Sequence, residues 1–196
     1  MIDYTEIIKY IKPITTEISI LKSVVESSVT NNNTVDPLVV FFQDDDNKSA
    51  IIGFLKPDSL EDTIVKFSEV MHLYGAINSS AAIVVMTAKM DHDNTIYETL
   101  NLFALTDSKG WVITLPYLLK NNSVVWYDNL AEILKIDDAQ YNGPMKEMIS
   151  MLYFLTHLDN QAYTAPEILS YLTTTGATVH LCEGHEIGYY DMSNQS

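Results

Sequence analysis

Apolar residues recur along this chain with two different periods, and the changes between them divide it into elements. Ile14, Ile18, Leu21, Val24 and Val25 fall at helical spacing. Residues 3–29 therefore predict a helix broken at Pro13, because proline lacks the N–H of a helix interior and crowds the preceding turn. Thr15 or Thr16 is the candidate cap of its second part, with Glu17 and Ser19 in the first turns. The stretch TNNNTVDP, residues 30–37, reads as a loop. PLVVFFQD (37–44) and SAIIGFLK (49–56) are rich in β-branched and aromatic residues and are separated by DDDNK, which predicts a hairpin.

Residues 56–75 carry the clearest helical pattern. Leu60, Ile64, Phe67, Val70, Met71 and Tyr74 form one stripe, Asp58 or Ser59 caps it, and Gly75 is its expected end. Glu61 and Asp62 sit in its first turn, where the helix dipole favours acids. A run of strands follows. SAAIVVMTAKM (80–90) has a continuous apolar run, so it should be central and covered on both faces. Residues 94–107, 111–120 and 123–128 continue the run, with NN between the last two as a tight turn. Pro116 predicts an end, bulge or edge within its strand. NLAEILKI (129–136), residues 143–160 and residues 165–175 read as helices, the last with Pro166 near its start, before a terminal strand beginning at ATVHL.

Strands gathered in a run with helices at both ends predict an α+β protein. The expectation is one domain over residues 1–196, with five to six mostly antiparallel or mixed strands packed by helices. The C-terminal third should be helical, and residues 158–196 could form a looser appendage.

Composition narrows the function. An apolar fraction of 47% and a charged fraction of 19% are globular values. No apolar run approaches the roughly 20 residues that span a bilayer, and the start MIDYTEIIKYIKP does not resemble a secretory signal. The expectation is a soluble protein of the cytoplasm or of a particle assembled there. The single Cys182 rules out an internal disulfide and a multi-cysteine zinc site. Acids outnumber bases 26 to 11, giving a net charge of −15, and every basic residue is a lysine. Without arginine or a basic patch, direct binding of nucleic acid or of an anionic membrane is disfavoured. A basic protein partner, or a cation, fits this field better.

Four constellations could carry chemistry. His180, Cys182, His185 and Glu186 are candidate metal ligands, with Glu183 and Asp191 nearby. In an extended segment, alternation puts His180 and Cys182 on one face and His185 on the other, so chelation needs a turn at Glu183–Gly184. Their spacing matches no metalloenzyme signature, and Cys182 serves equally well as a small buried hydrophobe. Asp44, Asp45 and Asp46 resemble half a calcium loop but lack its spacing and terminal glutamate, which favours a solvated hairpin turn that could also meet a partner. MDHD (90–93) puts Asp91, His92 and Asp93 in a row before Asn94 and could contribute to a cation site, although its place between two strands favours a solvated turn. Trp111 and Trp126, with Tyr117 and Tyr127, fall on neighbouring strands and could line a binding face or fill the core. No nucleophile elbow, phosphate loop or dinucleotide fingerprint is present, and no cofactor is implied.

The block AAIVVMTAKM, TIYETLNLFALTDSKGWVITLPYL and SVVWYD resembles the small acidic α+β proteins encoded by tailed bacteriophages, over about residues 36–128. That resemblance implies a viral setting, in which such proteins are virion parts or inhibitors of host proteins, and it carries no functional residue with it. Three functions are thus in play: a non-enzymatic interaction protein that is accessory or virion-associated, an acidic DNA-mimic inhibitor, and a metal-dependent hydrolase using the C-terminal cluster. An exposed edge on the terminal strand could also pair with a second copy.

Overall fold

The central strands are apolar on both faces, so the sheet they form must be covered twice. The computed structural model describes residues 2–30, 35–43, 47–54, 59–136, 149–153, 156 and 164–182. Helices α1 (Thr5–Ile8) and α2 (Ile14–Thr30) come first, followed by strands β1 (Leu38–Gln43) and β2 (Asn47–Gly53). Helix α3 (Leu60–Ala76) leads into β3 (Ala81–His92), β4 (Thr95–Thr106), β5 (Gly110–Lys120), β6 (Ser123–Trp126) and β7 (Glu132–Lys135). After helical residues at 149–153, α4 (Ala165–Thr174) and β8 (Thr178–Leu181) complete the described elements.

The strands form one sheet in the order β6-β5-β4-β3-β1-β2-β8, with β7 also paired to β5. Every described pairing is antiparallel. The protein is therefore α+β, with an eight-stranded sheet that exceeds the five to six strands expected from the sequence. One extra strand is β7. EILK was expected to be helical from its good helix formers, yet it pairs with Trp111–Thr114 of β5. Four residues gain little from intrinsic helix propensity, and the open half of the β5 edge offers them a full ladder of hydrogen bonds. Strand β8 is the terminal strand expected at ATVHL, and it covers the edge of β2.

Alternation along the strands feeds two cores. Val39, Phe41, Val84, Phe103 and Leu105 face Phe67, Val70 and Met71 of α3 and Ile168 and Leu172 of α4. On the opposite face, Val40, Phe42, Ile83, Val85, Leu102 and Ile113 meet Ile7, Ile14, Ile18, Leu21 and Val25 from the N-terminal helices and Ile11 from the link between them. Burying each such aliphatic or aromatic side chain contributes about 1.5–3 kcal/mol. Ile149 and Leu152, from the helical residues at 149–153, join the first of these cores.

Local signals set the boundaries. The Ser59 hydroxyl accepts a hydrogen bond from the Asp62 amide at 3.1 Å and caps α3. Gly75 does not end that helix. The chain leaves it at Asn78, which takes φ of 50°, and the Ser79 amide reaches back to the Tyr74 carbonyl at 2.9 Å. Asparagine tolerates this left-handed position and closes the helix as glycine commonly does. Gly176 plays the same part after α4, with φ of 88° and the Ala177 amide on the Leu172 carbonyl at 2.9 Å. Helix α2 begins before its expected caps, since the Glu17 amide already bonds the Pro13 carbonyl at 2.9 Å.

Strand β5 runs straight through Pro116. The Pro116 carbonyl accepts from the Tyr127 amide at 2.9 Å, where the outer partner of β5 changes from β7 to β6. The missing proline N–H thus points into that junction and breaks no ladder with β4. From the expected helical C-terminal third, α4 and residues 149–153 and 156 are described, while residues 137–148, 154–155, 157–163 and 183–196 lie outside the described set. Among the described residues, no helix is long and apolar enough to cross a membrane.

Candidate functional site

Helices α3 and α4 bury one side against the same sheet face, and their outer flanks meet over a cleft. Glu69 and His72, three apart, stand on one flank of α3, and Glu167, Ile168 and Tyr171 line it from α4. Spacings of three and four put such pairs on a single helix face. The cleft holds about 410 Å³ and is open to solvent. Ile168, which belongs to the core below, gives it an apolar floor.

Two hydrogen bonds order the polar rim. The Tyr171 hydroxyl donates to Glu69 Oε1 at 3.0 Å and ties the helices together. Glu167 Oε2 accepts from both the Thr164 amide and the Thr164 hydroxyl, each at 2.8 Å, as the carboxylate of a capping box at the start of α4. The bond to Glu69, and then its negative charge, push the Tyr171 phenol above its ordinary range, so it stays a protonated donor at neutral pH. Hydrogen bonds from the Thr164 backbone and then its side chain hold Glu167 below the usual carboxylate range. Lys66, one turn before Glu69, borders a much smaller neighbouring cavity that Glu69 also lines. Among the described lining residues of the main cleft there is no cation apart from His72 when protonated. An apolar floor with acidic walls is chemically suited to a positively charged group carrying an aliphatic stem.

The residues singled out in the sequence fall elsewhere. His180 lies opposite Ile51 on β8 and is exposed. Cys182, two positions on, donates its amide to the Ser49 carbonyl at 2.9 Å. Desolvation raises the Cys182 thiol above its ordinary value; Lys48 opposes that shift and the Glu17 charge adds to it. A thiol shifted in this direction carries less of the nucleophilic thiolate at neutral pH. His185 and Glu186 lie outside the described residues, as do Asp44, Asp45 and Asp46. Among the described residues, no three His, Cys, Asp or Glu side chains come together as a metal site would need.

Trp111 is 1% exposed and packs in the core beneath the N-terminal helices. Trp126 lies at the margin of the same core. Its Nε1 donates to Glu26 at 2.8 Å, its ring lies 5.0 Å from that of Tyr117, and the Lys22 ammonium sits 4.7 Å from its centroid. These contacts dock α2 onto the end of the sheet. His92 and Asp93 approach to 3.5 Å where β3 ends, both well exposed.

No protein-family model matches the chain, and no curated protein or solved structure is similar enough to it to show kinship. The cleft residues were not apparent in the sequence. Their only local signal is polar pairs bordering the apolar stripes, Glu69 with His72 and Glu167 with Tyr171, and most surface helices carry such pairs.

Proposed function

We propose that this protein is a non-enzymatic interaction protein that holds a basic segment of another protein in the α3–α4 cleft. The lining of the cleft carries this reading: Glu69 and Glu167 stand as walls above the Ile168 floor, with Tyr171 half-exposed between them. A cation placed there is partly shielded from water, which strengthens its attraction to both carboxylates. The net charge of −15 would steer basic partners towards the protein from a distance.

A DNA mimic would need one elongated acidic face. The described acids are instead spread over both helical layers, and several are paired with lysine. Glu6 meets Lys135 at 2.9 Å, Asp128 meets Lys22 at 2.9 Å and Glu17 meets Lys48 at 2.8 Å. That distribution supports a local contact with a basic segment over mimicry of a phosphate backbone. The phage setting implied by the central block supplies the context of an accessory or virion-associated protein, whose partner is a particle component or a host protein.

The test is affinity capture from the native or infected host, washed at low and then high salt, using the wild type and the Glu69→Gln/Glu167→Gln double variant. The expected result is a basic partner that salt releases and that the double variant fails to hold. A partner retained equally by the double variant would overturn the assignment to this cleft.

A further inference from the structure

Tyr171 and Glu69 together define which cation the cleft is built for. The phenol is tethered to the carboxylate at 3.0 Å, so the ring is held beside the acid while half of the residue, 50%, stays exposed. A carboxylate has two oxygens and accepts several hydrogen bonds, so one bond from Tyr171 leaves it able to receive a ligand. An aromatic face next to a carboxylate suits a planar guanidinium, which stacks on the ring while directing its N–H groups at the acid. An ammonium is a compact, strongly hydrated point charge and gains less from the ring.

We infer that the cleft takes an arginine side chain from the partner protein, an assignment that rests on the interaction reading. The aliphatic stem of the arginine covers Ile168 and the guanidinium lies between Tyr171 and Glu69. A cleft of about 410 Å³ has room for that side chain and for part of the segment bearing it. The occupant must come from a different protein. These 196 residues contain no arginine, so neither they nor a second copy of them can supply a guanidinium.

The experiment is an ¹⁵N NMR titration of the full chain at low salt with three probes: the N-acetyl amides of arginine, lysine and citrulline. Citrulline keeps the planar shape of arginine without its charge. The expected result is a set of shift changes confined to α3 and α4 near 69–72 and 167–171. Arginine should bind at least about threefold more tightly than lysine, and citrulline should not bind. Glu69→Gln should weaken arginine about tenfold at an unchanged melting temperature, because the glutamine oxygen can still accept from Tyr171. Tyr171→Leu should abolish the preference for arginine over lysine. Shifts elsewhere, no shifts, or equal binding of arginine and lysine would overturn the assignment. If it fails while the Glu69→Gln/Glu167→Gln variant still loses its captured partner, the interaction reading stands without arginine. If capture is also unaffected, both fall.

Discussion

Glu17 on α2 and Lys48 on β2 form an ion pair at 2.8 Å, with the Glu17 side chain only 6% exposed and that of Lys48 25% exposed. A carboxylate buried to this degree is tolerated because the ammonium compensates it, and removing one partner strands the other. The β1–β2 register shifts between Phe41 and Phe42, so the ladder skips Ser49 at this point. Phe42 packs on the α2 side of the sheet and is the register partner of Lys48, which puts Lys48 on the face where Glu17 waits. Lys48→Met should therefore destabilise the fold by about 2–4 kcal/mol, less than a fully buried pair would lose because Lys48 is partly solvated. Glu17→Met/Lys48→Met should recover most of that loss. Urea denaturation midpoints of the single and double variants check this, and a neutral Lys48→Met would show that the pair is not holding α2 to the sheet.

Two hairpins turn on consecutive residues with positive φ. Asp93 and Asn94 take 50° and 60°, and Asn121 and Asn122 take 51° and 60°. Paired left-handed residues match the twist of the flanking strands in a two-residue turn, and asparagine, aspartate and glycine reach that region at least cost. Replacing Asn122 by alanine should cost about 1–2 kcal/mol, because a Cβ without a compensating polar group is disfavoured there. Asn122→Gly should be neutral or slightly stabilising. Thermal melts of the two variants separate these outcomes, and an alanine variant as stable as the wild type would contradict the turn geometry.

Much of the fold was legible because its signals are local. The unbroken apolar run of β3 announced a strand covered on both faces, and NN announced the turn before β6. The EILK segment was misread because Glu, Leu and Lys favour helices, while its strand state depends on Trp111–Thr114 of β5, about twenty positions upstream. Glycine was read as the stop for α3, yet Asn78 supplies the left-handed residue three positions later. The cleft was hidden for a different reason. Glu69 and Tyr171 lie 102 positions apart, and nothing near either residue encodes that α3 and α4 will pack side by side on one face.

The two tryptophans should report separately on the fold. Trp111 is sealed in the core, and Trp126 is half-buried at the α2 contact. Acrylamide should quench one emission component and spare the other. Trp126→Phe should leave a blue-shifted, poorly quenched spectrum, with a modest stability loss of about 1–2 kcal/mol for the hydrogen bond to Glu26 and the Lys22 contact. Equal quenching of the two single-tryptophan proteins would contradict the burial of Trp111.

The pH dependence of α4 follows from Glu167. Its hydrogen bonds to Thr164 exist only in the folded protein, and they hold its carboxyl below the usual range. A group whose folded value is depressed contributes stability above its unfolded pKa, and that contribution is lost as pH falls through the folded value. The unfolded reference is about 4.3, so the whole contribution is present at neutral pH and declines below that point. Glu167→Gln keeps an acceptor for the Thr164 amide but no charge to titrate. Its melting temperature should lie below that of the wild type at pH 7, and the gap should narrow as the buffer is taken from pH 5 towards pH 3. Because Glu167 also walls the cleft, affinity for a cationic ligand should fall over the same acidic window in the wild type. In the variant it should start weaker and lose a smaller share. A melting gap that is constant across the window would mean that the carboxylate is not engaged with Thr164 in solution.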